Sequence, residues 1–151
     1  GLGIFAGASH RVVTEASRFA MPEVTIGLYP DVGGSYFLNT MPGQTGRFLA
    51  LTGASFNGAD AMFTGIANTF VVRDRYEDVI AALTSSDIGD NESVTAALAG
   101  IVSESASAMP SGNVESHLAI INALCASEST LDVYTAIEQL NTDDKLWLKP
   151  Q

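Results

Sequence analysis

The chain has 151 residues, 46% of them apolar and 16% charged, which suits one folded domain and excludes a disordered tail. No apolar run approaches the ~18 residues that cross a bilayer, and a net charge of −10 argues against nucleic acid, whose phosphates need clustered Lys and Arg. The lone cysteine, Cys125, excludes both an intramolecular disulfide and a cysteine-based zinc site.

In chain order, GLGIFAGAS (1–9) is small and apolar on all sides and predicts a short buried helix after a tight turn. It opens without Met and without a charge to solvate it, so the chain is expected to be an internal fragment of a longer protein. HRVVTE (10–15) and RFAMPEV (18–24) predict short strands, with Pro22 confining the second to an edge or ending it. IGLYPDVGG (26–34) is a loop, with Asp31 expected as N-cap of the helix that follows from Ser35. After a break at Pro42-Gly43, a helix through Arg47–Leu51 should close at Gly53. A second short helix is expected over Ser55–Gly65 and a strand over Thr69–Val72.

Beyond that point the pattern predicts helices over 75–85, 91–105, 113–126 and 130–140. Val114, Leu118, Ile121, Leu124 and Cys125 line one face of the third of these. The division is also electrostatic: residues 1–75 balance to zero, whereas 76–151 carry the whole net charge. Two regions are therefore expected, an α/β part over 1–74 and an acidic helical part over 75–151.

Two constellations could carry chemistry. Gly1, Gly3 and Ala6 fit G-x-G-x-x-A, with Glu23 about twenty residues on, but that dinucleotide fingerprint has meaning only after a strand, and small residues equally serve close helix packing. The second is the carboxylate pair. Glu23 ends an apolar stretch, where burial would suit it to acid, base or nucleophile work, while Asp31 sits in a polar Pro/Gly loop. Two carboxylates in unlike surroundings can divide acid and base roles. The competing reading is structural: Asp31 only caps a helix and Glu23 only pairs with an arginine such as Arg18.

The remaining polar residues point to no chemistry. His10 and His117 lack metal-ligand spacing, and no metal is expected. His10 reads as a surface or turn residue, His117 as part of a solvated face and Cys125 as core. Ser35 follows Gly34 but is not in a G-x-S-x-G elbow. Trp147 reads as an apolar anchor.

The segment AGASHRVVTEASRFAMPEVTIGLYPDVGGSYFLNTMPG (6–43), and MPEVTIGLYPDVGGSYFL within it, resembles the enoyl-CoA hydratase/isomerase (crotonase) superfamily. The acid after the proline, Pro30-Asp31, is closest to its 3-hydroxyisobutyryl-CoA hydrolase branch. FLALTGASFNGADAMFTGIANTFV (48–71) is similar to the helix–helix–strand that follows in these enzymes. The resemblance is clear over about 1–72 and covers the remainder only in general character.

It implies a partial α/β fold of the crotonase (ClpP/crotonase-like) type, with short strands in front and mainly helices behind. It also implies an acyl-CoA substrate whose thioester oxygen is held by two backbone N–H groups. Glu23 would be nucleophile or general base and Asp31 would assist in placement and proton transfer. Gly27, Gly33, Gly34 and, adjacent to the oxyanion turn, Gly1 would bind substrate. One oxyanion donor would precede Gly1 and the other lie on an earlier strand, so the isolated chain is expected to be inactive.

Position 3 is Gly where hydratases of the superfamily usually carry a second glutamate, which favours hydrolysis of a 3-hydroxyacyl-CoA in valine catabolism over hydration. An enoyl-CoA hydratase/isomerase, or an inactive fragment that self-associates into homo-oligomers, are the alternatives. Coenzyme A enters only as part of the substrate, with no separate cofactor. The implied location is cytoplasmic, or the mitochondrial matrix in a eukaryote.

Overall fold

The computed structural model describes residues 1–85 and 87–140; Trp147 lies outside them. Helix α1 (Leu2–Ala6) leads into β1 (Val12–Val13) and β2 (Arg18–Phe19), then a 3₁₀ turn over Pro22–Ile26. Helices α2 (Gly34–Asn39) and α3 (Thr45–Thr52), β3 (Phe56–Asn57), α4 (Gly58–Phe63) and β4 (Thr69–Phe70) complete the front. Behind them come α5 (Tyr76–Ser85), α6 (Asn91–Ser105), α7 (Asn113–Leu124) and α8 (Thr130–Glu138). The architecture is helix-rich with a few short strands.

The strands make two ribbons. β1 runs parallel to β4, Val12 opposite Thr69 and Val13 opposite Phe70. β2 runs antiparallel to β3, Arg18 opposite Asn57 and Phe19 opposite Phe56. Side chains stitch the parallel pair at its entrance: the Arg11 amide donates to Asn68 Oδ1 at 2.8 Å, Arg11 Nε to the Ile66 carbonyl at 2.7 Å, and Asn68 Nδ2 to the Ser9 carbonyl at 2.7 Å.

Several elements differ from the sequence-based expectation. The strand expected over 18–24 stops at Phe19, because Pro22 starts a 3₁₀ turn instead of continuing an edge. The helix expected from Ser55 begins three residues later, after a two-residue strand. Asn57 caps it, its side chain accepting from the Asp60 amide at 2.9 Å. Helix α1 forms as expected but buries none of its residues, and Ile4 is 87% exposed. Phe5 packs on Phe19 with ring centroids 5.3 Å apart.

The main core is built on Phe48, Leu49 and Phe56, with Val13, Met21 and Phe70 around them, and it continues into Val114, Ile121, Cys125, Val133 and Ile137 of the rear helices. A smaller cluster of Val71, Leu98 and Ile101 joins β4 to α5 and α6. Cys125 is fully buried, and that burial pushes its thiol above the ordinary value despite the nearby Arg47 cation.

One carboxylate ties front to rear. Asp60 is fully buried; its Oδ1 accepts from the Val114 amide at 2.7 Å and its Oδ2 from the Asn57 amide at 3.2 Å. A single side chain thus satisfies the first turn of α7 and the cap of α4, donors that no helix can satisfy internally. Asp60→Ala leaves both amides without a partner. It should lower unfolding free energy by about 2–4 kcal/mol, read from urea denaturation. Asp60→Asn, which keeps one oxygen acceptor, should cost less.

Candidate active site

Glu23 is carried on the 3₁₀ turn. Pro22 fits its first position, where no amide is needed, and Met21 ahead of it is buried in the core. The turn is pinned at its far end, where the Leu28 amide donates to the Glu23 carbonyl at 3.0 Å and the Gly27 amide to the Val24 carbonyl at 3.1 Å. Thr25 Oγ1 donates to the Pro22 carbonyl at 2.7 Å.

The Glu23 side chain is half-buried, and its Oε2 is shielded from solvent with no hydrogen-bond partner. Arg18 does not supply one: its guanidinium donates to the carbonyls of Glu15 at 3.0 Å and Ser17 at 2.7 Å. The arginine pairing that the sequence allowed is therefore not formed. A shielded carboxylate oxygen without a donor is costly, and buried polar atoms in this state are rare enough to call for an explanation.

Asp31 is exposed, and it is not the N-cap of α2. Gly33 holds that position at φ +84°, and no side chain caps the helix. The reason is a tight turn inserted between acid and helix. The Gly34 amide donates to the Asp31 carbonyl at 2.7 Å, and the two residues between them, Val32 at φ +41° and Gly33, are both left-handed. For a β-branched residue this is a true outlier, with a cost of about 1–3 kcal/mol.

The four glycines expected at the site serve different ends. Gly27 at φ +76° and Gly33 supply backbone conformations, with open space around them. Gly34 supplies close approach: a β-carbon there would stand 2.9 Å from Pro30 Cβ and 3.5 Å from Met21 Cε. The acid-bearing segments thus meet at Met21 and Gly34. Gly1 is the N-cap of α1, its carbonyl accepting from the Phe5 amide at 3.1 Å. It lines a cleft of about 450 Å³ with Leu2, Phe5, Arg18, Phe19 and Ala20.

Two features were not anticipated from the sequence. Gly3 of α1 abuts the Val32 turn so closely that a β-carbon would lie 2.5 Å from the Val32 carbonyl oxygen. In addition, Ile26, Leu28, Tyr29, Val32 and Tyr36 are all exposed, so the segment carrying the acids presents an apolar surface. The two glycines of PDVGG signalled a turn, but nothing in the sequence marks a left-handed valine.

The histidines stand apart from the acid pair. His10 Nε2 lies 2.9 Å from Thr95 Oγ1, at the rim of a cavity of about 610 Å³. The Thr95 hydroxyl also lies 2.9 Å from the Asn91 carbonyl. His117 is half-buried, with Nδ1 on the Asn113 carbonyl at 2.7 Å. Among the described residues no three His, Cys, Asp or Glu side chains gather as metal ligands, and no helix is long and apolar enough to cross a membrane.

The sequence profile of the enoyl-CoA hydratase/isomerase family matches residues 1–151. The chain belongs to that family. It is 38% identical over 144 residues to the mitochondrial 3-hydroxyisobutyryl-CoA hydrolase of Xenopus tropicalis, covering 95% of this chain and 37% of that protein. Among solved structures it resembles a carnitinyl-CoA dehydratase from Mycobacterium thermoresistibile, with a TM-score of 0.80 and 34% identity over 95% of this chain and 39% of that one. It also resembles an enoyl-CoA hydratase from Rhodobacter sphaeroides 2.4.1, with a TM-score of 0.74 and 34% identity over 94% and 38% respectively. The chain therefore spans little more than a third of the length of the relatives it matches.

The close contact at Gly34 gives a direct check on the site's framework. Gly34→Ala should lower unfolding free energy by about 1–3 kcal/mol, since Pro30, which the new carbon would approach to 2.9 Å, must move. Gly1→Ala, with nothing within 4 Å of the new carbon, should stay within about 0.5 kcal/mol. Urea denaturation of the two variants measures the difference.

Proposed function

We propose that this chain carries the acid pair of an acyl-CoA thioester hydrolase of the 3-hydroxyisobutyryl-CoA hydrolase type, with Glu23 as nucleophile or general base and Asp31 assisting. The observation that carries the reading is the Glu23 carboxylate, one oxygen shielded and without a donor. A group left in that state on a pinned backbone is ready to act on a bound electrophile or a water.

Glu23 would either attack the thioester carbonyl or take a proton from the attacking water. The carbonyl oxygen gains negative charge, the carbon–sulfur bond breaks, and the coenzyme A sulfur leaves and is protonated, with Asp31 assisting that transfer; on the nucleophile route water then hydrolyses the Glu23 acyl anhydride, which releases the free acid and restores the carboxylate. Gly27, Gly33 and Gly34 hold the turns on which the two acids stand. Gly1 would lie beside the oxyanion donors. Coenzyme A is part of the substrate, and no further cofactor is required by this chemistry.

The space around Gly3 favours hydrolysis over hydration. Where the resemblance puts a hydratase's second glutamate, this chain has Gly3, and the Val32 carbonyl fills the volume that a side chain would need. The Xenopus tropicalis relative is named a mitochondrial 3-hydroxyisobutyryl-CoA hydrolase, which supports the same choice; the proposal takes as substrate a short 3-hydroxyacyl-CoA of valine catabolism, in the matrix if the cell is eukaryotic. The runner-up, hydration of an enoyl-CoA, is favoured by the titles of the two structural relatives.

The reading is tested in the native protein by thiol release from 3-hydroxyisobutyryl-CoA. Glu23→Gln should lower kcat by about 10²–10⁴-fold, the range typical of a lost acid–base group, and Asp31→Asn should lower it sharply with less effect on KM. Full turnover in Glu23→Gln would end the mechanism.

A further inference from the structure

We infer that Val32 is a positioning residue: wedged between helix α1 and the acid loop, it fixes where the Asp31 carboxylate stands during thioester hydrolysis. This rests on the function proposed above and adds a residue to it. Val32 takes a left-handed φ of +41° that glycine would adopt freely. The neighbouring position of the same turn does use glycine, Gly33. A β-branched residue in this conformation persists only where its surroundings over-determine it.

Those surroundings are visible on both sides. Toward α1, a β-carbon at Gly3 would lie 2.5 Å from the Val32 carbonyl oxygen and 3.0 Å from its Cβ and Cγ2, so carbonyl and side chain both bear on the helix. Toward α2, Gly34 is closed against Pro30, the residue before Asp31, at 2.9 Å for an added β-carbon. Asp31 is thus held between a clamp at Pro30 and a strut at Val32. Its own carboxylate makes no hydrogen bond among the described residues that would hold it otherwise. Two-thirds of the Val32 surface is exposed, so its side chain contributes little as core.

The two roles that valine could have here predict opposite outcomes for Val32→Gly. A glycine keeps the left-handed turn and the carbonyl contact and removes the side-chain part of the strut, the Cβ and Cγ2 that face Gly3. If Val32 positions Asp31, stability should hold while turnover falls. The test measures thiol release from 3-hydroxyisobutyryl-CoA by the native protein and by Val32→Gly, Val32→Ile, Asp31→Asn and the Val32→Gly/Asp31→Asn double variant, with a thermal melt of each.

We expect Val32→Gly to melt at or above the native temperature, keep KM within about twofold and lose about tenfold in kcat, the scale on which misplaced catalytic groups act. Val32→Ile should recover most of that loss, and Val32→Gly should add nothing in the Asp31→Asn background, as expected for residues acting as one unit. If Val32→Gly fails to fold, Gly3→Ala presses on the same turn from α1 and should give the same kcat loss and the same absence of effect on Asp31→Asn.

Native kcat in Val32→Gly beside an impaired Asp31→Asn would overturn this inference and leave the acid assignment standing. A full additional loss in the double variant would overturn it as well. Native kcat in Asp31→Asn would remove the assisting role of Asp31 and this inference with it.

Discussion

The arrangement of both acids depends on how closely helix α3 can approach its neighbours. A β-carbon at Gly46 would stand 1.9 Å from the Leu38 carbonyl oxygen, so any larger residue there would force α2 away. At the other end, a β-carbon at Gly53 would meet Pro22 Cα and Val24 Cγ1 at 3.4 Å, placing α3 directly behind the turn that carries Glu23. Between them Phe48 and Leu49 are fully buried. Each contributes about 1.5–3 kcal/mol of burial, which holds the approach that the glycines permit. Arg47 extends the same helix to the rear, donating to the carbonyls of Cys125 and Glu128 at 3.1 Å and to that of Ser127. By contrast, the exposed pairing of Arg75, on the 3₁₀ turn before α5, with Asp78 of α5 and Glu104 of α6 is of a kind that contributes little.

Two shielded carboxylates show how differently the same group can be used. Asp60 has each oxygen met by a backbone amide, and it joins α4 to α7. Glu23 has Oε2 shielded and unmet. A satisfied carboxylate stabilises the fold; an unsatisfied one costs stability that the packing of Met21 and α3 must offset, and such costs concentrate at functional sites. The strained Val32 turn beside Asp31 is a second departure of the same kind, a few residues away.

How much of this could be read from residues alone varied with the physics of each element. Helix α6 spans the expected 91–105, and Asp90, which accepts from the Ser93 amide at 2.8 Å, gives its start a specific cap. The C-terminus of α3 at Gly53 was legible for the same reason of a specific cap. Strands β1, β2 and β4 were located but overextended, because a two-residue ribbon has no alternation to measure, and β3 was missed inside the helix expected over 55–65. Asp31 was misplaced as a cap because PDVGG fits a cap and a tight turn equally well until the φ angles are known. Helix α1 was expected to be buried from its composition, yet composition carries no information about what covers a surface.

The candidate site was chosen mainly through resemblance. Family likeness in MPEVTIGLYPDVGG pointed to Glu23 and Asp31, while spacing alone left the structural alternatives open. The contact between Gly3 and Val32 was beyond reach, since nothing in the sequence separates a glycine needed for close approach from one needed for a turn. That contact fills the space a side chain at position 3 would need.

The central claim is that this acid pair cleaves a thioester and does not hydrate a double bond. It is met most directly by giving the native protein 3-hydroxyisobutyryl-CoA and a short enoyl-CoA side by side, following free thiol in one and loss of enoyl absorbance in the other. The account predicts rapid thiol release with the enoyl absorbance unchanged. Loss of enoyl absorbance without thiol release would contradict it.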